Sequence, residues 1–274
     1  MSSVRSSDGT KIAYDVIGSG PPVILVGGAF SYRAWPQPRR LAEELADMFT
    51  VINYDRRGRG ESGDTPPFAV EREFEDLEAL VIAVGGSASL WGWSSGGVLA
   101  LKAAAHGVRT ERLALYDPVF VVDERKPLPP PNFVQELGDL IAQGRRRAAT
   151  TYYFTKVMGM PSLVATGSRL IPGFRRRLDS VAHTLPYEAA LVEDALRGQP
   201  LRVEDWRAVR TPTLVLSGEK SEPVLRKGAE AIAEALPNAK LRILVGQGHN
   251  PSMAVLASAL KEFFSARGER EAAA

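Results

Sequence analysis

Six residues, Gly92-Trp93-Ser94-Ser95-Gly96-Gly97, constrain this chain more than any other feature. They follow a short apolar run, Ala88 to Trp91, and open an Ala-rich helical pattern, Gly96 to His106. Between a strand and a helix, Gly-x-Ser-x-Gly predicts a nucleophile elbow. The serine sits on a very tight turn in a strained backbone conformation. Residues two positions to either side must be small, or their side chains collide. Gly92 and Gly96 meet that need. The turn lifts the Ser94 hydroxyl above the sheet at a helix N-terminus, where free N–H groups and the helix dipole favour developing negative charge. Ser95 is the rival serine, but Trp93 stands two positions before it and would crowd the turn.

The rest of the chain supplies a setting for such a turn. Lys11 to Ile17, Val23 to Val26, Thr50 to Tyr54, Ala88 to Trp91 and Leu113 to Tyr116 read as strands. Gly18-Ser19-Gly20-Pro21-Pro22 reads as a turn between the first two. Pro36 to Met48, Val70 to Val84 and Gly96 to His106 read as helices; Phe74, Leu77, Leu80, Val81 and Val84 recur at helical spacing. Alternating strands and helices predict a mostly parallel sheet with helices on both faces. The first hairpin, before Pro21, is expected to be antiparallel. From Val122 to Trp206 no strand is legible, and Pro127 to Pro131 holds four prolines. The alternation then resumes with Thr213 to Ser217, Leu225 to Leu236, Lys240 to Val245 and Met253 to Phe264. The expected architecture is an α/β core, 1–121 and 207–274, with a helical cap, 122–206, inserted after the sixth strand. Gly268 to Ala274 reads as a frayed tail.

Bulk properties remove several classes of function. With 274 residues the chain is long enough for one large α/β core. Its 34 basic and 32 acidic residues leave a formal net charge of +2, so no electrostatic footprint for nucleic acid or an anionic membrane is present. The clusters Arg145-Arg146-Arg147 and Arg175-Arg176-Arg177 read as solvated helix faces. There are no cysteines, which excludes a disulfide framework, a thiolate metal site and a cysteine nucleophile. The N-terminus, Met1-Ser2-Ser3-Val4-Arg5, leads into polar turn residues and lacks the apolar run of a signal peptide. No apolar stretch approaches the roughly 18 residues of a membrane span. A cytoplasmic enzyme is the default expectation.

A neutral serine needs an adjacent base. Three histidines are available. His106 ends the Ala-rich helix and reads as a cap, and His183 lies in the middle block. His249 stands in Gly246-Gln247-Gly248-His249-Asn250-Pro251, just after the last strand, where α/β active sites form. Serine first and histidine last is also the chain order of this kind of site.

These residues resemble the α/β-hydrolase fold family, over nearly the whole chain outside the middle block. The resemblance takes in Gly27-Gly28-Ala29-Phe30, where the family often has His-Gly. It takes in Asn53-Tyr54-Asp55-Arg56-Arg57-Gly58-Arg59-Gly60-Glu61-Ser62, which looks like the family's D-x-R-G-x-G-x-S loop, with Asp55 expected to brace the turn. It also takes in Thr211-Pro212-Thr213-Leu214-Val215-Leu216-Ser217-Gly218. It implies a serine hydrolase with Ser94 as nucleophile, His249 as base and an oxyanion hole formed by the N–H groups of Ala29 and Ser95. Gly27 stands in place of the usual histidine. No metal or organic cofactor is implied.

The third triad member departs from the pattern. Many relatives carry it in G-x-x-D after the strand that follows the cap; here that stretch is Gly218-Glu219-Lys220-Ser221. In other relatives, including certain dehalogenases and lactone hydrolases, the acid comes from the end of an earlier strand. Asp117, in Tyr116-Asp117-Pro118, occupies that position and is the expected acid, with Glu219 and Glu222 as alternatives.

The middle block carries Phe133, Tyr152, Tyr153, Phe154, Met158 and Met160. Phe30, Trp93, Tyr153 and Met158 are expected to line an apolar substrate site. The function expected is hydrolysis of an ester or lactone of a small apolar molecule through an acyl-enzyme. The same scaffold hosts carbon–carbon bond hydrolysis, perhydrolysis and acyl transfer, and also non-catalytic ligand receptors. Haloalkane dehalogenase and epoxide hydrolase chemistry would need an aspartate at position 94. No nucleic-acid or membrane partner is expected, and the oligomeric state is left open, with a homodimer among the options.

Overall fold

The apolar runs fold as strands of one eight-stranded sheet. The structure, a computed structural model, describes residues 2–123, 128–167 and 173–266. The strands are β1 (Ser2–Arg5), β2 (Lys11–Ile17), β3 (Pro22–Val26), β4 (Thr50–Tyr54), β5 (Ala88–Trp93), β6 (Thr110–Tyr116), β7 (Thr213–Gly218) and β8 (Ala239–Leu244). Their spatial order is β1-β2-β4-β3-β5-β6-β7-β8. From β4 to β8 every pairing is parallel. β2 runs antiparallel to both its neighbours, β1 and β4.

Two expectations change here. The start of the chain, where no strand is legible in the sequence, is strand β1, and it forms the first hairpin with β2. Residues Lys11–Ile17 therefore do not pair with Pro22–Val26. The turn at Gly18 instead carries the chain past β4 to an inner position in the sheet. Gly20 permits this close passage, because a Cβ there would lie 2.3 Å from the Met48 carbonyl oxygen.

Alternation along each strand sorts side chains to two faces. Val23, Leu25, Trp91, Ala114 and Leu216 face one layer, with α1 (Pro36–Leu45) and α11 (Met253–Ser265). Ile24, Val26, Leu90, Leu113 and Val215 face the other, with α2 (Val70–Ala83), α3 (Ser95–His106) and α10 (Pro223–Ala235). Burying strands on both faces is what their near-continuous apolar sequences require.

Between β6 and β7 the described residues are helical or irregular, with no strand. Helices α4 (Phe133–Ala142), α5 (Arg146–Tyr152), α6 (Ser162–Gly167), α7 (Phe174–Val181), α8 (Leu185–Val192) and α9 (Val203–Trp206) lie there. Phe133, Leu137, Leu185 and Ala189 are buried in the same apolar cluster as α3, so this block continues the core. A single π-helical turn, Tyr153–Val157, follows α5 directly. Pro127 and the tail from Gly268 lie outside the described residues. Among the described residues, no helix is long and apolar enough to cross a membrane.

Candidate active site

Ser94 stands between the last residue of β5 and the first of α3, at φ 58° and ψ −126°. That left-handed conformation is uncommon for a residue with a Cβ. Packing around it explains why the turn stays. A Cβ on Gly92 would lie 2.5 Å from the Gly96 carbonyl oxygen, and one on Gly96 would lie 2.2 Å from the Val26 carbonyl oxygen. Strand and helix touch backbone to backbone, so Ser94 is the point where the chain must bend. The Ser94 N–H donates to the Tyr116 carbonyl at 3.0 Å, which fixes the elbow to the end of β6.

Asp117 follows β6, also at positive φ (44°). Its carboxylate is wholly buried. Oδ1 accepts from the Ser217 hydroxyl at 2.5 Å, and Oδ2 accepts from the Ser221 hydroxyl at 2.6 Å. The same Oδ2 lies 3.0 Å from His249 Nδ1. A buried carboxylate must find donors, and these three supply them. His249 is itself partly exposed. Its loop is held by two aromatic side chains: Trp93 Nε1–H donates to the His249 carbonyl at 3.1 Å, and the Tyr116 hydroxyl donates to the Gly248 carbonyl at 2.5 Å. Of the alternative acids, Glu219 is exposed and accepts the Gly246 N–H at 2.8 Å, and Glu222 is exposed at the start of α10.

The loop after β3 lies against the elbow. A Cβ on Gly28 would be 2.7 Å from the Trp93 carbonyl oxygen. Gly28 to Ser31 forms a tight turn, with the Ser31 N–H donating to the Gly28 carbonyl at 3.1 Å. Phe30 sits in that turn at φ 62°. Among the described non-glycine residues, positive φ occurs only at Phe30, Ser94 and Asp117. Strained backbone of this kind costs on the order of 1–3 kcal/mol per residue and gathers where geometry is functional. The Ala29 N–H donates to Ser95 Oγ at 2.9 Å.

Buried charge underlies this loop. Arg56 donates to Glu73, to Glu188 and to the Gly27 carbonyl. Arg59 donates to Glu188, to Thr184 and to the carbonyls of Gly28 and Ser31. Burial alone would raise the Glu188 carboxyl. The charges of Arg56 and Arg59 hold it below the usual carboxylate range. Asp55, the expected brace, accepts the Arg33 N–H at 2.6 Å and the Glu61 N–H at 2.9 Å.

The Alpha/beta hydrolase family model matches residues 23–266. The chain belongs to this family. A pimeloyl-[acyl-carrier protein] methyl ester esterase of Xanthomonas campestris is 30% identical over 92% of this chain and 98% of its own length. An alpha/beta hydrolase from Sphaerobacter thermophilus is 45% identical, with a TM-score of 0.89 over 96% of this chain and 100% of that one. A thermophilic esterase from Thermogutta terrifontis, solved with malate bound, is 26% identical, with a TM-score of 0.71 over 96% and 97% of the two chains. This alpha/beta hydrolase is accordingly a hydrolytic enzyme.

Of the expected substrate-site residues of this hydrolase, Phe30 and Tyr153 meet edge to face at 5.7 Å, and Phe154 packs on Phe30 at 5.1 Å. Trp93 lies beside His249, the two rings 5.8 Å apart. Strand alternation sends it with Trp91 to the α1 and α11 face, where it braces the His249 loop. Met158 ends the π-helical turn with 42% of its surface exposed. His106 contacts Phe74 and His183 lies near Gly58, so neither stands with Asp117. Sequence reasoning missed Ser217, Tyr116 and Glu188. Only Glu188 left a trace, as a lone acid inside the apolar stretch Leu185 to Val192. Among the described residues no group of three or more His, Asp or Glu is arranged to hold a metal ion.

Proposed function

We propose that this protein hydrolyses an ester or lactone of a small apolar molecule through an acyl-enzyme on Ser94. The observation that carries this reading is the 3.0 Å approach of His249 Nδ1 to buried Asp117, at the end of the strand beside the Ser94 elbow. An ionised Asp117 fixes the tautomer with hydrogen on Nδ1, which leaves Nε2 as the base. His249 takes the Ser94 proton as the hydroxyl oxygen attacks the carbonyl. The tetrahedral oxyanion takes hydrogen bonds from the N–H groups of Ser95 and Ala29. His249 then returns the proton to the leaving alcohol, and a water activated by the same nitrogen releases the acid.

The helical block, 122–206, acts in this reading as a cap over the core, 1–121 and 207–274. Phe30, Tyr153 and Phe154 give the site an apolar aromatic wall, which suits an uncharged acyl group. The esterase names of the Xanthomonas and Thermogutta relatives support the reaction class.

The test is turnover of p-nitrophenyl butyrate. Multiple turnovers with a pre-steady-state burst are expected, reduced by roughly 10³-fold or more in Ser94→Ala and in His249→Ala. Stoichiometric binding without turnover would instead favour a ligand receptor on this scaffold.

A further inference from the structure

Glu188 has no part in the triad, yet it anchors two arginines that hold the loop after β3. It comes from α8, in the block between β6 and β7, and is wholly buried. Two arginines from the loop after β4 converge on it, Arg56 at 2.9 Å and Arg59 at 2.5 Å. Both guanidiniums also reach backbone. Arg56 donates to the Gly27 carbonyl at 3.3 Å, and Arg59 donates to the carbonyls of Gly28 at 2.8 Å and Ser31 at 3.1 Å. Three carbonyls of the loop, those of Gly27, Gly28 and Ser31, are thus tied through two guanidiniums to a single carboxylate. Beside them, Ser95 Oγ accepts the Ala29 N–H at 2.9 Å.

The loop needs such a hold. Phe30 occupies a conformation that suits glycine, so the turn is not self-sustaining. Oxyanion stabilisation depends on donors aimed beforehand, and small misplacements are costly.

We propose that Glu188 and Ser95 are positioning residues for the oxyanion-stabilising loop: Glu188 orients Arg56 and Arg59, which hold the Gly27, Gly28 and Ser31 carbonyls, and the Ser95 hydroxyl oxygen holds the Ala29 N–H. This rests on the acyl-enzyme reading above. It makes seating of α8 a condition for a complete oxyanion site. An oxyanion above Ser94 then shares an N–H that is already held in place.

The test compares wild type with Glu188→Gln, Ser95→Ala and the double variant on a p-nitrophenyl ester, with active sites counted by fluorophosphonate titration. Each single variant is expected to lose kcat per titrated site by on the order of 10-fold, less than the loss of an oxyanion donor outright, with KM changed less than 2-fold. Affinity for a trifluoromethyl ketone, which forms a tetrahedral oxyanion on the serine, is expected to fall in parallel. The double variant is expected to lose more than either single one, because the two side chains hold the loop at different points. Ser95→Ala removes only a neutral hydroxyl, so it carries the test if Glu188→Gln does not fold. Unchanged kcat per site in either folded single variant would overturn the proposal. An inactive wild type would instead overturn the acyl-enzyme reading itself.

Discussion

In the proposed mechanism, Asp117 takes over a function that many relatives place in a distant stretch of chain. Ser221 stands where many relatives have the acid, and its hydroxyl now donates to the Asp117 carboxylate. The site thus keeps one carboxylate beside His249, delivered from β6 instead of from the loop after β7. Asp117→Asn keeps the size and loses the charge that stabilises an imidazolium. It is expected to lower kcat by roughly 10³- to 10⁴-fold with the fold intact, checked by ester turnover beside circular dichroism. The candidate acid was legible because Asp117 follows a strand directly. Ser217 was not, since a serine inside an apolar strand gives no sign of its partner 100 residues away.

At the scale of elements, the strands were legible because runs such as Val23 to Val26 are apolar throughout. β1 was not. It is four mostly exposed residues at the sheet edge, and pairing alone defines it. The elbow between β5 and α3 rests on contact that leaves no room for a methyl group. Gly96→Ala, which places a Cβ against the Val26 carbonyl, is expected to destabilise by about 3 kcal/mol or more, read as a fall in Tm. The hairpin of β1 and β2 is tied down at its tip. Burial alone would raise the Asp8 carboxyl, but hydrogen bonds from Thr10 and Arg57 hold it at about 2, from an ordinary 3.8. A depressed carboxyl contributes stability above its unfolded pKa and loses it as pH falls through the folded one. Asp8→Asn is therefore expected to flatten the stability profile between about pH 4 and 2, with an unfolding series in urea as the check. An unchanged slope there would count against the tie.

For the whole molecule, one apolar cluster runs from the sheet through α3 into α4 and α8. Buried ion pairs cross the same boundary, from Arg56 and Arg59 to Glu188. Breaking such a pair on one side leaves a buried charge and costs about 3–5 kcal/mol. The helical block has little to gain by leaving early. Thermal unfolding is expected to give one Tm by far-UV circular dichroism and by the fluorescence of buried Trp91 and Trp93. An earlier loss of helix signal would show the block melting alone. None of this coupling was legible beforehand, because residues 56, 59 and 188 are brought together only by the folded chain.

If Ser94 is an activated nucleophile, intact mass after exposure to a fluorophosphonate shows one adduct on wild type and none on Ser94→Ala. No adduct on folded wild type, or an adduct that persists in Ser94→Ala, would exclude that role.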